Sequence, residues 1–151
     1  YVVSALEYAR KLGAKTVYLV TNLDPYKMAE VDIVIVVDTG PEIITGSTRM
    51  KAGTATKMVL NMISTATMVQ LGKVYGNLMV DLMAVNEKLI DRGMRIIMQL
   101  TGLDRKDALE RLKEAKMSVK KAVVIETKGI PLQETERLLK KVKGSLRKAL
   151  E

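Results

Sequence analysis

A chain of 151 residues, 48% of them hydrophobic, is the size of one ordinary domain and is apolar enough to form a packed core. It contains no cysteine and no histidine, which excludes disulfides, thiolate nucleophiles, the common zinc sites and imidazole catalysis by its own residues. Its net charge of +8 arises mostly from residues 102–151, which hold fourteen lysines and arginines against eight acidic residues.

This positive charge does not by itself predict a nucleic-acid partner. Aromatic residues make up only 3% of the chain, with no Phe and no Trp, whereas nucleic-acid binding usually combines charge with aromatic or base-reading side chains. A solvated, lysine-rich helical surface explains the charge better. The sequence shows neither a secretory leader pattern nor an apolar run of membrane-spanning length, so we expect a cytoplasmic protein without a nucleic-acid or membrane partner.

The beginning of the chain alternates between helical and strand patterns. Residues 1–12 have apolar positions at helical spacing and are followed by Gly13, which suits the left-handed end of a helix. Residues 15–21 and 32–38 are short, β-branched apolar runs, and residues 22–31 connect them with room for one helical turn. Strands this uniformly apolar are typical of parallel sheets covered on both faces. The order predicts an α/β fold with a doubly wound parallel sheet.

The remainder of the chain predicts helices. Residues 51–71 are apolar on nearly every side, as in a deeply buried helix, and residues 77–101 predict a second long helix that ends at Gly102. Three short helices are then predicted over residues 104–115, 118–128 and 131–150. The signals are Asp104 as an N-cap, Gly129 at a helix end and Pro131 in a first helical turn. We therefore divide the chain into residues 1–101 and a three-helix C-terminal subdomain, residues 102–151.

The two predicted strands need more sheet than this sequence supplies. Both are apolar on both faces, and the flanking elements are too few to cover those faces and to pair both edges. We expect the other strands to come from an N-terminal segment outside this sequence or from another chain. The isolated 151-residue chain should then fold poorly or self-associate.

Residues 40–57, GPEIITGSTRMKAGTATK, form a small, hydroxylated and basic corner between the second strand and the apolar helix. One hypothesis is a phosphate site, because the corner follows the carboxyl end of a strand and leads into a helix N-terminus with free N–H groups. The other is structural: the glycines make turns, Ser47 or Thr48 caps the helix, and Arg49 and Lys51 are solvated. Spacing does not choose between them, although the lack of Walker A and GxGxxG patterns argues against the familiar nucleotide sites.

Glu42 is the one carboxylate in this corner. A carboxylate among hydroxyls and cations can orient sugar hydroxyls or move a proton, but one carboxylate is not an acid–base pair. Bonding within the loop, or to the helix dipole, is its simpler role.

The same corner resembles a family signature. Residues 40–42, 46–54 and Lys57 are similar to the sequence shared by N-acetylmuramic acid 6-phosphate etherases and glucokinase regulatory proteins. Residues 71–89, LGKVYGNLMVDLMAVNEKL, resemble the etherases in particular, and residues 1–22 resemble the second half of their sugar isomerase (SIS) domain. The resemblance implies the C-terminal portion of such a protein, with residues 1–101 as the C-terminal half of the SIS domain and a small helical subdomain after it.

What the etherase resemblance implies is cleavage of the lactyl ether of N-acetylmuramic acid 6-phosphate, giving N-acetylglucosamine 6-phosphate and D-lactate in cell-wall recycling. The reaction is an elimination in which one carboxylate takes the C2 proton and another protonates the departing lactate. Water then adds, and the chemistry requires no metal or other cofactor. The family's catalytic glutamates lie upstream of this chain, so none is assigned here. The alternative is a phosphosugar-binding regulatory module without catalysis, resembling glucokinase regulatory protein; a helical interaction module in the basic tail is a third hypothesis.

The signature also assigns candidate binding residues. The residues expected to line or support a sugar-phosphate site are Glu42, Ser47, Thr48, Arg49 and Lys51. Lys57 is expected to be structural or at a subunit contact. We interpret four polar residues of the etherase-like stretch as buried or interface positions, namely Asn77, Asp81, Asn86 and Glu87. The partners implied are the sugar phosphate, the N-terminal half of the SIS domain and a second copy in a homodimer.

Overall fold

The computed structural model describes residues 1–24 and 29–151. Its elements, in chain order, are α1 (Val2–Lys11), β1 (Val17–Val20), β2 (Ile33–Val36), α2 (Lys51–Gln70), β3 (Val74–Tyr75), β4 (Leu78–Met79), α3 (Glu87–Thr101), α4 (Arg105–Glu114), α5 (Val119–Lys128), α6 (Leu132–Lys141) and α7 (Leu146–Leu150). The predicted mixed α/β class is confirmed. The helical turn expected within residues 22–31 falls largely on residues 25–28, which lie outside the described residues.

Two compact units make up the chain, Tyr1–Ser64 and Thr65–Glu151. The first holds α1 and a two-stranded parallel sheet, in which Val17 to Val20 pair with Ile33 to Val36 in order. The predicted parallel strand pair is therefore confirmed, and Gly13 takes the left-handed conformation predicted at the end of α1, with φ of +77°. The doubly wound sheet remains a prediction.

A polar cluster fixes the register of these two strands at their amino ends. Asp32 Oδ2 accepts hydrogen bonds from the backbone N–H and the hydroxyl of Thr16, at 2.8 and 2.9 Å, and Lys15 Nζ lies 2.9 Å from Oδ1. Lys15, followed by the two Thr16 donors, holds the pKa of the Asp32 carboxyl well below its usual range. Because Thr16 is buried, sliding either strand by one residue would leave its hydroxyl without this partner.

The prediction that residues 51–71 form a helix is confirmed, but the predicted burial is wrong for the described chain. Ala52 is the buried residue of α2, whereas Met58, Leu60 and Met62 are 58%, 54% and 59% exposed. Most side chains of β1 and β2 are also at least partly exposed. An apolar pattern predicts that a helix needs a covering surface, and the described residues do not provide one for most of α2. Among the described helices, none is both long and apolar enough to cross a membrane.

The second unit has a well-formed core. α3 buries one face, Gly93, Met94, Ile96 and Ile97, against α4 and α5. Val119, Val123 and Val124 of α5 are fully buried and belong to the same core. The unit therefore has the strongly amphipathic packing that α2 lacks.

α3 begins ten residues later than predicted. Residues 77–101 were predicted to be helical throughout, but β3 and β4 pair as an antiparallel hairpin around Gly76 and Asn77. Gly76 has a φ of +58°, which a helix does not allow. Asn86 then caps α3, accepting a hydrogen bond from the Leu89 N–H at 2.9 Å. The predicted end of this helix is confirmed, since Gly102 is left-handed with φ of +77°.

The C-terminal helices agree with prediction except for the last. α4 and α5 match residues 104–115 and 118–128, and the predicted cap is confirmed because Asp104 accepts from the Asp107 N–H at 2.8 Å. The third predicted helix is wrong as a single element. It divides into α6 and α7 because Lys143 and Gly144 take left-handed φ values of +53° and +76°. The division of the chain at residues 101 and 102 stays a prediction.

We expect Gly93→Ala to lower the free energy of unfolding by up to about 2 kcal/mol, because overpacking costs about 1–3 kcal/mol and the gain in helix propensity offsets only about 1 kcal/mol of it. An added Cβ would lie 2.9 Å from Val119 Cγ2, and Val119 is fully buried and β-branched, so it cannot move aside easily. Urea unfolding measures the change. Adding Val119→Ala should couple favourably with Gly93→Ala; strictly additive effects would contradict the proposed clash.

Candidate functional site

The carboxyl ends of β1 and β2 open onto a cavity of about 470 Å³. After β1 it is lined by Thr21, Asn22 and Leu23, and after β2 by Asp38 and Thr39. The corner completes the lining with Gly40, Pro41, Glu42, Thr45, Gly46, Thr48 and Ala52. This is the edge of a parallel sheet at which ligands bind in α/β proteins. Its hydroxyl and amide side chains suit a ligand rich in hydroxyl groups.

Two contacts shape the turn that follows β2. Asp38 Oδ1 accepts a hydrogen bond from the Gly40 N–H at 2.9 Å, and Lys51 Nζ donates to the Pro41 carbonyl at 3.0 Å. Gly40 has a φ of +61°, and a Cβ at this position would lie 3.6 Å from Lys51 Nζ. A glycine is therefore required here mainly by the backbone conformation.

Glu42 binds the N-terminus of α2. Its Oε2 and Oε1 atoms accept hydrogen bonds from the backbone N–H groups of Lys51 and Ala52, both at 3.0 Å. The next two N–H groups, of Gly53 and Thr54, donate to backbone carbonyls at 3.0 and 2.9 Å. The expectation that free N–H groups at this helix end would hold a phosphate is therefore wrong: the anion at this end is the carboxylate of Glu42 itself.

This arrangement fixes the protonation state of Glu42. The hydrogen bond from the Ala52 N–H, and then the one from Lys51, lower the pKa of the Glu42 carboxyl below its ordinary value. At neutral pH the group is ionised and both of its oxygens already accept hydrogen bonds. Glu42 is thus built to orient the corner, in line with its simpler predicted role, rather than to donate a proton to a ligand.

The five predicted binding residues do not all reach the cavity. Glu42 and Thr48 line it, whereas Ser47, Arg49 and Lys51 are not part of its lining. Lys51 supports the corner through its bond to Pro41. Arg49 is exposed in the turn before α2, and Ser47 is half-buried. That these five residues line or support a sugar-phosphate site remains a prediction.

Sequence reasoning missed the opposite wall of the cavity. Thr21, Asn22, Asp38 and Thr39 are polar residues at or just after the carboxyl ends of the two strands. The signal was present, because polar residues in that position of a parallel sheet are the usual ligand contacts. It was obscured because the corner after β2 has the more distinctive composition.

Two of the four polar residues singled out in the etherase-like stretch, Asp81 and Asn86, have structural partners. Asp81 Oδ1 lies 2.9 Å from Lys120 Nζ, and Asp81 Oδ2 pairs with Lys73. Burial opposes ionisation of Asp81, but the hydrogen bonds from Lys73 and Lys120 prevail and lower its pKa. Asn86 caps α3, as described above, while Asn77 and Glu87 are exposed. Asp81 is thus partly buried, in line with its interpretation as a buried or interface position. The burial expected of Asn77, Asn86 and Glu87 is not found among the described residues, and an interface role for these residues stays a prediction.

Within residues 1–24 and 29–151, no cluster of three or more acidic side chains has the geometry to hold a metal ion.

Proteins with curated names match this chain from end to end. A protein of Geobacillus thermodenitrificans named N-acetylmuramic acid 6-phosphate etherase is 48% identical over 151 residues, which is 100% of this chain and 51% of the relative. Proteins of the same name from Edwardsiella ictaluri and Pseudothermotoga lettingae are 48% and 47% identical, again over 100% of this chain and 50% of each relative. No protein-family model matches the chain.

The chain is a homologue of the N-acetylmuramic acid 6-phosphate etherases. It spans about half the length of the etherases that it matches and corresponds to their C-terminal portion. The predicted etherase resemblance is confirmed. The corner, the cavity and the Asp81 ion pairs described above all lie within the region shared with these etherases, since the match covers the whole chain.

Proposed function

We propose that this chain is the C-terminal part of an enzyme that cleaves the lactyl ether of N-acetylmuramic acid 6-phosphate. The products are N-acetylglucosamine 6-phosphate and D-lactate. The observation that carries this proposal is the 48% identity to named etherases over all 151 residues. A cavity at the carboxyl ends of parallel strands, with hydroxyl, amide and carboxylate side chains in its lining, supports a sugar ligand.

The proposed reaction proceeds by elimination and hydration. One carboxylate removes the proton at C2 of the sugar, a double bond forms, and the bond to the lactyl oxygen breaks as a second acid protonates the departing D-lactate. Water then adds to the double bond and gives N-acetylglucosamine 6-phosphate. We assign neither acid nor base to this chain: an ionised Glu42 has no proton to donate, and both of its oxygens already accept hydrogen bonds from the N-terminus of α2.

In this proposal the corner holds and orients the sugar phosphate. Thr48 contributes a hydroxyl to the cavity, and Glu42 fixes the backbone around it. Because the N–H groups of α2 are already bonded, the phosphate charge must be balanced by side chains, and the cations nearest in the sequence are Arg49 and Lys51.

The wider architecture is part of the same proposal. We infer an SIS doubly wound sheet, to which residues 1–101 contribute the C-terminal half, with residues 102–151 as a helical subdomain. The exposed apolar side chains of β2, and Met58, Leu60 and Met62 of α2, support covering surfaces supplied by an N-terminal half and by a second subunit of a homodimer. We infer a cytoplasmic enzyme, as expected for the recycling of a phosphorylated sugar.

Release of D-lactate from N-acetylmuramic acid 6-phosphate tests the function. The assay compares this chain alone with the chain restored to its upstream region. Release by the restored protein only is the expected result. Saturable binding of the sugar phosphate with no release by either form would instead support the phosphosugar-binding regulatory module.

Arg49→Ala, in the restored protein, should weaken sugar-phosphate binding by about ten- to hundredfold, the scale of one charge-assisted hydrogen bond. Binding of the dephosphorylated sugar should change little, because the guanidinium is proposed to contact the phosphate. Calorimetric titration with both ligands measures the difference, and Arg92→Ala, an exposed arginine of α3, is the matched control. Equal weakening of both ligands would remove Arg49 from the phosphate site.

A further inference from the structure

A second cavity, of about 470 Å³, lies within the unit Thr65–Glu151. Two segments line it, residues 69–76 around the end of α2 and the start of the hairpin, and residues 142–148 around the break between α6 and α7. None of its lining residues belongs to the corner or to the cavity described above. Its chemistry therefore has to be explained separately.

One side of this cavity is cationic. Lys143, Arg147 and Lys148 line it, and no carboxylate does. None of these three side chains takes part in an ion pair with another described residue, although most of the acidic side chains of this unit's helices α3, α5 and α6 are paired with a lysine or arginine. Three exposed cations facing one concave surface repel one another and attract an anion.

The buried Lys120 adds to the positive charge of this cavity. Lys120 is 6% exposed, and its Nζ donates to the carbonyls of Gly144 at 2.7 Å and Gly72 at 3.5 Å. Gly72 lines the cavity, and Gly144 lies between two lining residues. Asp81 is shared between Lys120 and Lys73, so this group retains one uncompensated positive charge. The field of a partly buried cation is screened less than that of a surface lysine.

The other side of the cavity is apolar. Val69, Leu71, Val74 and Val142 contribute hydrocarbon surface next to the cations. Val69 and Leu71 are 53% and 56% exposed. A ligand that satisfies both sides must carry an anionic group and an apolar group within a few bond lengths of each other.

We propose that this cavity binds a small organic anion, with a phosphate or carboxylate group against Lys143, Arg147 and Lys148 and an apolar group against Val69, Leu71 and Val142. The charge arises from side chains that form no ion pair with another described residue, and the concave apolar surface distinguishes the site from a uniformly solvated lysine-rich helix. The proposal does not depend on the etherase reaction, since it concerns different residues.

Titration of the isotopically labelled protein, restored to its upstream region, with phenyl phosphate, inorganic phosphate and benzoate, followed by NMR, tests the site. We expect phenyl phosphate to bind about tenfold more tightly than inorganic phosphate, because its ring adds apolar burial. The amide signals of Gly72 and residues 142–148 should shift. Benzoate tests whether the anionic group must be a phosphate. If benzoate binds in the cavity, the ligand class includes carboxylates; if it does not bind, the class is limited to phosphate esters.

The variants Arg147→Gln and Lys143→Asn provide the decisive comparison. Asparagine tolerates the left-handed backbone of residue 143 better than most residues, so this variant removes the charge with little strain. We expect each to weaken phenyl phosphate binding about tenfold. Lys128→Gln removes an equal charge from the same unit outside the cavity and should change binding less than about twofold. Equal weakening by all three variants, or signal shifts spread over all lysine-rich surfaces, would overturn the proposal.

Discussion

Replacing Asp81 with alanine should lower the free energy of unfolding of the unit Thr65–Glu151 by about 3 kcal/mol, the lower end for breaking a buried ion pair. The cost arises at Lys120, whose side chain is 8% exposed and would keep its charge with only backbone carbonyls as partners. The lower end applies because the Asp81 side chain is itself 31% exposed and admits some water.

The pH dependence of this contribution has a definite sign. The pKa of Asp81 is lowered from its ordinary 3.8 in the folded protein, so the folded state binds the proton less readily than the unfolded chain does. The stability that Asp81 provides is fully present above the ordinary value and is lost as the pH falls through the lowered folded pKa. Asp81→Asn should remove this contribution to the pH dependence of the unfolding free energy.

Hydrogen exchange of the α5 amides measures the loss locally, and urea unfolding measures it globally. Lys73→Met is the matched control, because its side chain is 41% exposed and Asp81 would keep Lys120. Lys73→Met should lower the free energy of unfolding by at most about 1 kcal/mol, the usual contribution of an exposed ion pair. Similar losses for Asp81→Ala and Lys73→Met would show that the buried lysine does not depend on its carboxylate.

Glu42→Ala should reduce D-lactate formation by the restored protein about a hundredfold, the scale expected when a binding surface shifts by about 1 Å. This expectation rests on the proposed function. The carboxylate joins the loop after β2 to the first turn of α2 through Lys51 and Ala52, and without it the cavity wall is no longer held in place.

Two further measurements separate this role from a catalytic one. The amides of Lys51 and Ala52 should exchange faster in Glu42→Ala, whether or not the protein is an etherase, because their acceptor is gone. Glu42→Gln keeps one acceptor oxygen and nearly the same shape, so it should lose less activity than alanine. If glutamine and alanine abolish activity equally while amide exchange is unchanged, Glu42 acts on the substrate and the orienting role is wrong.

Much of the secondary structure was predictable because it depends on local chemistry. The β-branched runs gave β1 and β2, and their lack of alternation correctly indicated parallel pairing. Gly13, Gly102 and Asp104 marked helix ends at which a left-handed backbone or a side-chain acceptor is needed within a few residues. Such signals require no knowledge of the rest of the fold.

The errors in the predicted elements have physical causes that short stretches of sequence do not reveal. The two-residue turn at Gly76 and Asn77 is a hairpin signal, but the apolar spacing of the surrounding sequence also fits a helix. Gly144 is a helix-end signal of the same kind as Gly102, but the helical spacing of residues 131–150 obscured it, and Lys143 before it takes a left-handed conformation that lysine disfavours. The burial of α2 depends on surfaces that the sequence pattern can require but cannot supply.

The candidate site was predictable in position but not in detail. Composition identified residues 40–57, and the strand-end rule indicated the correct edge of the sheet. The bond from Glu42 to residues 51 and 52 spans nine and ten positions, and no local pattern distinguishes it from capping by Ser47 or Thr48. The wall formed by Thr21 and Asn22 depends on the pairing of the strands, which brings distant segments together.

The exposed methionines on and beside α2 give this surface a chemical label. Met50, Met58, Met62 and Met68 are 48% to 64% exposed, whereas Met94 in the core of the second unit is 6% exposed. Mild peroxide converts accessible methionine thioethers to sulfoxides and reacts slowly with packed ones. Sulfoxide formation at these four positions can be followed by peptide mass spectrometry, with Met94 as the internal standard. A lower rate at a given methionine therefore shows that a covering surface has bound at that position.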